Sequence, residues 1–344
     1  MISALRNGLN KVQPVDRDLP EISENEVLIK VAFAGICGSD IHRVSEDLEK
    51  WDRIVLGHEF SGIIEKIGVK VKGYNLGQKV SAAPLVPCHK CDACKEGNFS
   101  LCKGYTFIGS RKDGSFAEYV AFPAENLVPL SDDFPLVKGA LIEPVTVCLH
   151  PILRLGNLLG KTVAVTGLGG IGLLAVQIFK SMGVKNIIVS DVVDEKITLA
   201  VKLGATHGVN VLNENLAEVA DSLGGAEIVF EASGTLAGKK SAIQIARGKG
   251  KILLVGTNPT QEVIMDGVFF ELISRKELEL IGSWMNYSNP WPGREWSIAA
   301  WMLETGMIQT DEIITHIFPL KEVESAFNVI YDRNEPFIKV VLKP

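Results

Sequence analysis

The chain has 344 residues, 47 % of them hydrophobic and 22 % charged, with 33 glycines. That is about twice the usual single-domain length, and the composition excludes disorder, collagen and coiled coil. A net charge of −6 supplies no global positive field for nucleic acid or an anionic membrane.

The opening MISALRNGLNKVQPV carries no apolar h-region and no small-residue cleavage site, so the cytoplasm is the expected compartment. The first third shows short β-rich runs between Gly and Pro (EVLIKVAFAGICG, FSGIIEKIG, QKVSAAPLV, GSFAEYVAF), the spacing of a small, mostly β domain. Glu143-Pro144 then marks a helix start. The uncharged run between Lys161 and Lys180 is just long enough to span a bilayer, but its four central glycines make it read as strand, turn and helix, with no membrane partner. From there KTVAVTG, GLLAVQIFKSMG, NIIVSD, DEKITLAVKLGA, AEIVFEASG, KILLVG and LELIGSW alternate between strand and helix, which predicts an α/β fold with a doubly wound parallel sheet. The tail from about Asn289 returns to helical patterns (GREWSIAAWMLETG, LKEVESAFNVIYD) and ends on a strand, FIKVVLKP.

Cys88, Cys91, Cys94 and Cys102 fall within fifteen residues. In a cytoplasmic chain this is no disulfide framework; a loop with four soft sulfurs can fold around one tetrahedral ion, leaving no open position, as a structural site does. Free surface thiols or a redox pair are the alternatives. Cys37 in AGICGSDIH and His58 in LGHEFSG each end a β-like run. Alone, each reads as a core Cys or a hydrogen-bonded His; with Glu143 they could supply sulfur, nitrogen and oxygen ligands and leave a fourth position open.

Gly167, Gly169 and Gly172 have the G-x-G-x-x-G spacing after a predicted strand and before a predicted helix, with Gly170 a further candidate beside them, and Asp191 follows nineteen residues after Gly172. In that context the glycines let a pyrophosphate approach a helix N-terminus, and the aspartate meets the ribose hydroxyls, favouring NAD over NADP. Gly256 and Ser283, at two further strand ends, are candidates near the nicotinamide.

Gly57-His58-Glu59, Gly62, Gly68 and Val71 resemble the zinc signature of the medium-chain alcohol and polyol dehydrogenases, and the resemblance extends over nearly the whole chain. It implies a GroES-like mostly-β catalytic domain (1–150 and 289–344, with a structural zinc lobe at about 85–105) and a Rossmann domain (151–288). It further implies two Zn²⁺ per subunit, NAD, and a homodimer or homotetramer. Cys37, His58 and Glu143 would hold the catalytic zinc, with glutamate where alcohol dehydrogenases place a second cysteine and with Cys148 a buried helix residue. Glu59 would lie close to the zinc as an alternate ligand, although in an extended segment it points away from His58. Ser39 and His42 match a hydroxyl-to-imidazole proton relay; the alternative is a helix cap and a surface histidine. Lys339 matches a residue that contacts the pyrophosphate, but as bare sequence it is an ordinary solvated lysine.

YTFIGSRKDGSFAEY and IGSWMNYSNPWPGREW resemble the hexitol-phosphate members of the family. Arg111 and Lys112 could hold a phosphate or be solvated turn residues. Trp284, Asn286 and Tyr287 could line a sugar site, and Trp284, Trp291 and Trp296 could instead pack at an interface. The resemblance thus implies oxidation of a secondary hydroxyl of a hexitol phosphate, galactitol 1-phosphate to tagatose 6-phosphate, with hydride passing to NAD⁺. Sorbitol, another free polyol or an L-threonine-like substrate is the alternative within the family, and a non-catalytic zinc-binding regulator the alternative outside it.

Overall fold

In the computed structural model the chain begins with strands β1 (Ile2–Arg6), β2 (Val12–Asp16) and β3 (Glu26–Gly35), helix α1 (Gly38–Ser45), and strands β4 (Glu59–Ile67), β5 (Lys79–Ala82) and β6 (Leu85–Val86). Helix α2 (Asp92–Lys95), strands β7 (Thr106–Phe107), β8 (Tyr119–Pro123) and β9 (Leu127–Pro129), and helices α3 (Leu136–Gly139) and α4 (Ile142–Ile152) follow. Then come β10 (Thr162–Thr166), α5 (Gly170–Ser181), β11 (Asn186–Asp191), α6 (Asp194–Leu203), β12 (His207–Asn210), α7 (Leu216–Ser222), β13 (Ala226–Glu231), α8 (Leu236–Ile245), β14 (Ala246–Leu254), α9 (Gly267–Arg275) and β15 (Glu279–Gly282). The chain closes with α10 (Arg294–Glu304), β16 (Ile314–Pro319), α11 (Val323–Asp332) and β17 (Lys339–Lys343). The structure describes residues 1–46, 49–257, 264–332 and 334–344.

Two compact units result: residues 1–146, 287–306 and 310–344 form the first, and 147–286 with 307–309 the second. The sequence expectation placed these divisions at 150 and 289. In the first unit a sheet runs β16-β17-β3-β4-β5-β9, with β8 also paired to β3. Its centre, β3, is apolar on both faces because it lies between neighbours, and Val27, Ile29, Phe60, Ile64, Phe116, Phe122 and Phe327 build the core around it. Burying each such side chain contributes about 1.5–3 kcal/mol.

The second unit is a six-stranded parallel sheet in the order β12-β11-β10-β13-β14-β15. Every residue of β10 is buried, as a parallel strand covered on both faces requires. Strand order reverses between β10 and β13, so the crevice that such sheets use for ligands opens at the C-terminal ends of these two strands. The Lys161–Lys180 run is divided into β10, a turn and α5, and no helix among the described residues is long and apolar enough to cross a membrane.

Several elements carried no sequence signal strong enough to read. β2 contains Pro14, β12 is the short HGVN, and β16 alternates between half-buried and exposed positions where the tail read as helical. Helix α4 starts one residue before Glu143, placing that residue in the first turn and not at the cap.

Gly62, in the middle of β4, shows why a signature position is glycine: a Cβ there would lie 2.3 Å from the Lys30 carbonyl oxygen and 2.6 Å from Ile29 Cγ2. Both obstacles belong to the paired strand β3, so the two backbones would have to part. Gly62→Ala is expected to destabilise the first unit by about 2–3 kcal/mol, read as a lowered melting temperature; an unchanged melt would show that the β3–β4 pair yields freely.

Candidate functional site

The first unit gathers one set of chemically reactive side chains at the ends of β3, β4 and β17. Cys37 caps α1: Ser39 N–H and Ser39 Oγ donate to its Sγ at 3.5 and 3.3 Å, and its own N–H donates to Asp40 Oδ2 at 3.1 Å. His58 follows Gly57, whose φ of +93° turns the chain just before β4 begins. Because His58 lies outside the strand, strand alternation does not separate it from Glu59. The ligand atoms of Cys37, His58 and Glu59 all lie within 4.8 Å of one another.

Glu143 was the expected oxygen ligand, and it is not part of that trio, in which the carboxylate is that of Glu59, the expected alternate. Glu143 is 8 % exposed, and its charge acts on Lys339 and on Tyr287, so its carboxylate is near the trio without joining it. Lys339 is likewise no solvated lysine. It is buried, donating to Glu59 Oε2 at 2.5 Å and to the Ile36 carbonyl at 3.2 Å. Burial alone would lower its pKa, but Glu59, Cys37 and Glu143 together hold it above the ordinary value.

Asp40 and His58 are coupled in the same way. Burial would raise the Asp40 pKa, yet His58, Arg43 and the Cys37 N–H hold it below the usual carboxylate range. Burial would lower that of His58, while Asp40 and Cys37 keep it well above the ordinary value. Asp40 Oδ1 is 3.6 Å from His58 Nδ1, too far for a hydrogen bond, and that nitrogen is buried without a hydrogen-bond partner. A sulfur, an imidazole nitrogen and a carboxylate within 4.8 Å of one another fit a divalent ion of zinc type.

Ser39 and His42 are not joined by a hydrogen bond among the described residues. The Ser39 hydroxyl is engaged by Arg43 Nη1 at 2.8 Å, and His42 is exposed on the same helix.

The four-cysteine lobe also converges, with Sγ atoms within 4.8 Å of one another. Cys91 Sγ is 3.5 Å from Cys94 Sγ and 3.9 Å from Cys102 Sγ; a tetrahedron with zinc–sulfur bonds of about 2.3 Å has edges of about 3.8 Å. All six cysteines are free. Backbone N–H groups of Lys90 and Cys91 lower the Cys88 thiol to about 6, whereas burial and its cysteine neighbours push Cys94 up to about 12. Four thiolates cannot coexist there unless a cation compensates them, so this set fits a closed structural site.

The second unit brings the glycine-rich turn together with Asp191, Gly256 and Ser283 along the C-terminal ends of its strands. Gly167 has φ +88°, and a Cβ there would lie 2.7 Å from Ser233 Cα; one on Gly172 would lie 2.0 Å from Gly167 O. Gly169 caps α5, offers no side-chain acceptor, and has open space where a Cβ would be. The first-turn N–H groups, including that of Gly170, are therefore left for an anion. Asp191 ties the turn to β11, accepting from Leu168 N at 2.7 Å and Val192 N at 2.8 Å.

Sequence reasoning missed Glu231, which is fully buried and whose Oε1 accepts from Ser233 N, Ser233 Oγ and Gly234 N, fixing the loop against which Gly167 packs. The acid in EASG at a strand end was the available signal. It also missed Asp40, although an acid three residues after a cap is the pattern of a capping box.

The expected substrate residues are arranged otherwise. Arg111 donates to the Tyr105 carbonyl at 2.7 Å and stacks 3.9 Å over its ring, and Lys112 pairs with Glu26 at 3.1 Å. Neither cation contacts the trio. Tyr287 is buried between Trp291 and Trp296, with ring centroids at 5.2 and 5.9 Å, and its hydroxyl accepts from Leu85 N. It is a core residue of the first unit. Trp284 is 57 % exposed and Asn286 is buried.

Comparison with known proteins fits this geometry. Residues 23–132 match the alcohol dehydrogenase GroES-like domain, and residues 170–301 match the zinc-binding dehydrogenase family. The chain is 38 % identical over 309 residues, 89 % of each chain, to galactitol 1-phosphate 5-dehydrogenase of Escherichia coli K12. It is 34 % identical to D-arabitol-phosphate dehydrogenase of Enterococcus avium, over 99 % of this chain and 96 % of that one. The crystal structure of galactitol-1-phosphate dehydrogenase from Escherichia coli superposes over 100 % of both chains with a TM-score of 0.95 at 36 % identity. With both sequence halves matched and the fold shared throughout, the chain belongs to the zinc-dependent alcohol dehydrogenase family and is an oxidoreductase of the medium-chain alcohol and polyol type.

Proposed function

We propose that this chain oxidises a secondary hydroxyl of a polyol phosphate to a ketone with NAD⁺ as hydride acceptor, galactitol 1-phosphate giving tagatose 6-phosphate. The observation that carries the reading is the convergence of Cys37, His58 and Glu59 in one unit of a chain whose other unit carries a dinucleotide turn. Two relatives act, by their names, on phosphorylated polyols.

Cys37, His58 and Glu59 would hold the catalytic ion, with Glu143 behind them, and the four-cysteine lobe the structural one. Bound there, zinc acts as a Lewis acid that lowers the pKa of a substrate hydroxyl toward neutrality. Ser39, whose hydroxyl touches both Cys37 and Arg43, is the group placed to relay the proton, releasing its own hydroxyl proton as it accepts the substrate's. Its onward transfer to His42 or to solvent needs a bridging water, since the two side chains are not bonded. Lys339 holds the Glu59 carboxylate in place by neutralising it in a buried setting. In the second unit, the N–H groups opening α5 bind the pyrophosphate, and the Asp191 carboxylate receives the ribose hydroxyls and repels a 2′-phosphate.

A homo-oligomer is part of the proposal. The edge strand β15 exposes Leu280, and α9 exposes Val268 and Phe270, an apolar face that a second copy would cover. Sedimentation should then give a mass above the 37.3 kDa of one chain; a monomer removes this part.

NADH formation should be rapid with galactitol 1-phosphate, slower with galactitol and sorbitol, and abolished by a chelator. Equal turnover of the free polyols would remove the phosphate assignment. Cys37→Ala should lower kcat/KM by about 10³-fold, because Lewis-acid stabilisation is worth several kcal/mol. Cys94→Ser should instead cost one of two zinc equivalents by metal analysis and lower the melting temperature; unchanged metal content would refute a structural site. Asp191→Ala should shift the NAD-to-NADP preference by roughly 10- to 100-fold, the worth of one charged hydrogen bond, and an unchanged ratio would place cofactor choice elsewhere.

A further inference from the structure

The geometry points to Arg43 as the cation that holds the substrate's phosphate, an inference that rests on the polyol-phosphate reading above. A phosphate monoester dianion needs a positive group with free N–H donors close to the reacting hydroxyl. In the first unit, the basic side chains around the trio differ sharply in what they have left to offer. Lys339 is buried and committed to Glu59 and the Ile36 carbonyl. Arg111 and Lys112, the residues the sequence suggested, make one contact each, to Tyr105 and to Glu26, and neither is tied to the trio as Arg43 is through Ser39.

Arg43 is placed otherwise. It stands one helical turn after Ser39 on α1, and Nη1 alone makes its hydrogen bonds, to Ser39 Oγ at 2.8 Å and Asp40 Oδ1 at 3.3 Å. Among the described residues Nε and Nη2 have no hydrogen-bond acceptor, so their donors are left for a ligand, and the side chain is 20 % exposed. Its charge is only partly compensated, because Asp40 is shared with His58 and with the Cys37 N–H.

Distance supports the assignment. Ser39 Oγ lies 3.3 Å from Cys37 Sγ and 2.8 Å from Arg43 Nη1, which keeps the guanidinium within about 6 Å of the metal-ligand sulfur. The phosphorus of galactitol 1-phosphate lies six bonds from the carbinol that is oxidised, about 7–8 Å away in an extended chain and less in a bent one. The Trp51 ring, 5.6 Å from the Arg43 guanidinium carbon, adds an apolar surface beside the cation for the carbon chain of the polyol. The ligand class is therefore a short polyol with a terminal phosphate monoester, its ester oxygens paired with Nε and Nη2.

The test compares kcat/KM for galactitol 1-phosphate and for galactitol in the zinc-loaded wild type, Arg43→Gln, Arg43→Lys and Arg111→Gln. Calorimetric titration of galactitol 1-phosphate into the zinc-loaded wild type and Arg43→Gln, with no dinucleotide present, gives a readout independent of turnover. The phosphorylated-to-free ratio should fall about 100-fold in Arg43→Gln, through KM more than kcat, with loss of calorimetric binding. Arg43→Lys, which keeps the charge and loses the fork, should fall about 10-fold and remains informative if the Gln variant does not fold. Parallel losses on both substrates would show that Arg43 only supports Ser39 and Asp40, overturning the proposal, and a fall confined to Arg111→Gln would move the anchor to that residue. A wild type indifferent to the phosphate would instead defeat the polyol-phosphate reading itself, whatever the variants do.

Discussion

The site depends on the antiparallel register that sets Gly35 opposite Glu59. At Gly35 a Cβ would lie 2.5 Å from Glu59 Oε2 and 3.2 Å from the Ala140 carbonyl oxygen, so the absent side chain is the space into which the Glu59 carboxylate folds. The same residue faces Val341 of β17 on its other side. Ile36 N then pairs with the Val340 carbonyl, and Lys339 enters beside Glu59. Three segments far apart in sequence thus deliver Cys37, Glu59 and Lys339 to one point through backbone pairing alone. A one-residue slip of β4 would turn every side chain on it to the other face of the sheet.

Burying that many ionisable groups is unfavourable unless each is paired. Two overlapping sets solve the problem. Asp40 is balanced by His58 and Arg43, and Lys339 by Glu59, Glu143 and Cys37. Asp40 Oδ1 lies 3.6 Å from His58 Nδ1, so the pair is coupled by charge and not by a hydrogen bond. Electrostatic compensation and the ligand set therefore overlap: the Glu59 carboxylate that converges with Cys37 and His58 also accepts from Lys339.

What the sequence could reveal followed from how local each feature is. The four cysteines and the glycine turn were legible because their geometry is built within a few residues and a single loop or strand–helix junction. Cys37 and His58 were legible through the flanking glycines. Glu59 was legible only as an alternate ligand, because its convergence with Cys37 and His58 turns on His58 lying just outside β4, a one-residue boundary that pattern reading does not resolve. Lys339 could not be placed either: its partner is 280 positions away, and a lysine at the start of a C-terminal strand looks like any solvated lysine. Arg111 and Lys112 drew attention as adjacent cations, yet a basic pair in a turn finds local partners, and here Tyr105 and Glu26 satisfy it. Arg43 lay unnoticed in a helix whose first turn held all the recognisable chemistry.

The two phosphate-bearing ligands of the proposed reaction call for different physics. A dinucleotide pyrophosphate is common to every turnover, and backbone N–H groups at the start of α5 suffice for it; they carry no side chain to vary, and Gly169 keeps their approach open. A substrate phosphate has to discriminate, which backbone dipoles do weakly and a guanidinium fork does well. Placing that fork on α1, bonded to Ser39 and Asp40, links recognition to the groups that support Cys37 and His58. Phosphate bound through Nε and Nη2 would leave Nη1 on the Ser39 hydroxyl and Asp40. Specificity and proton transfer would then share one side chain.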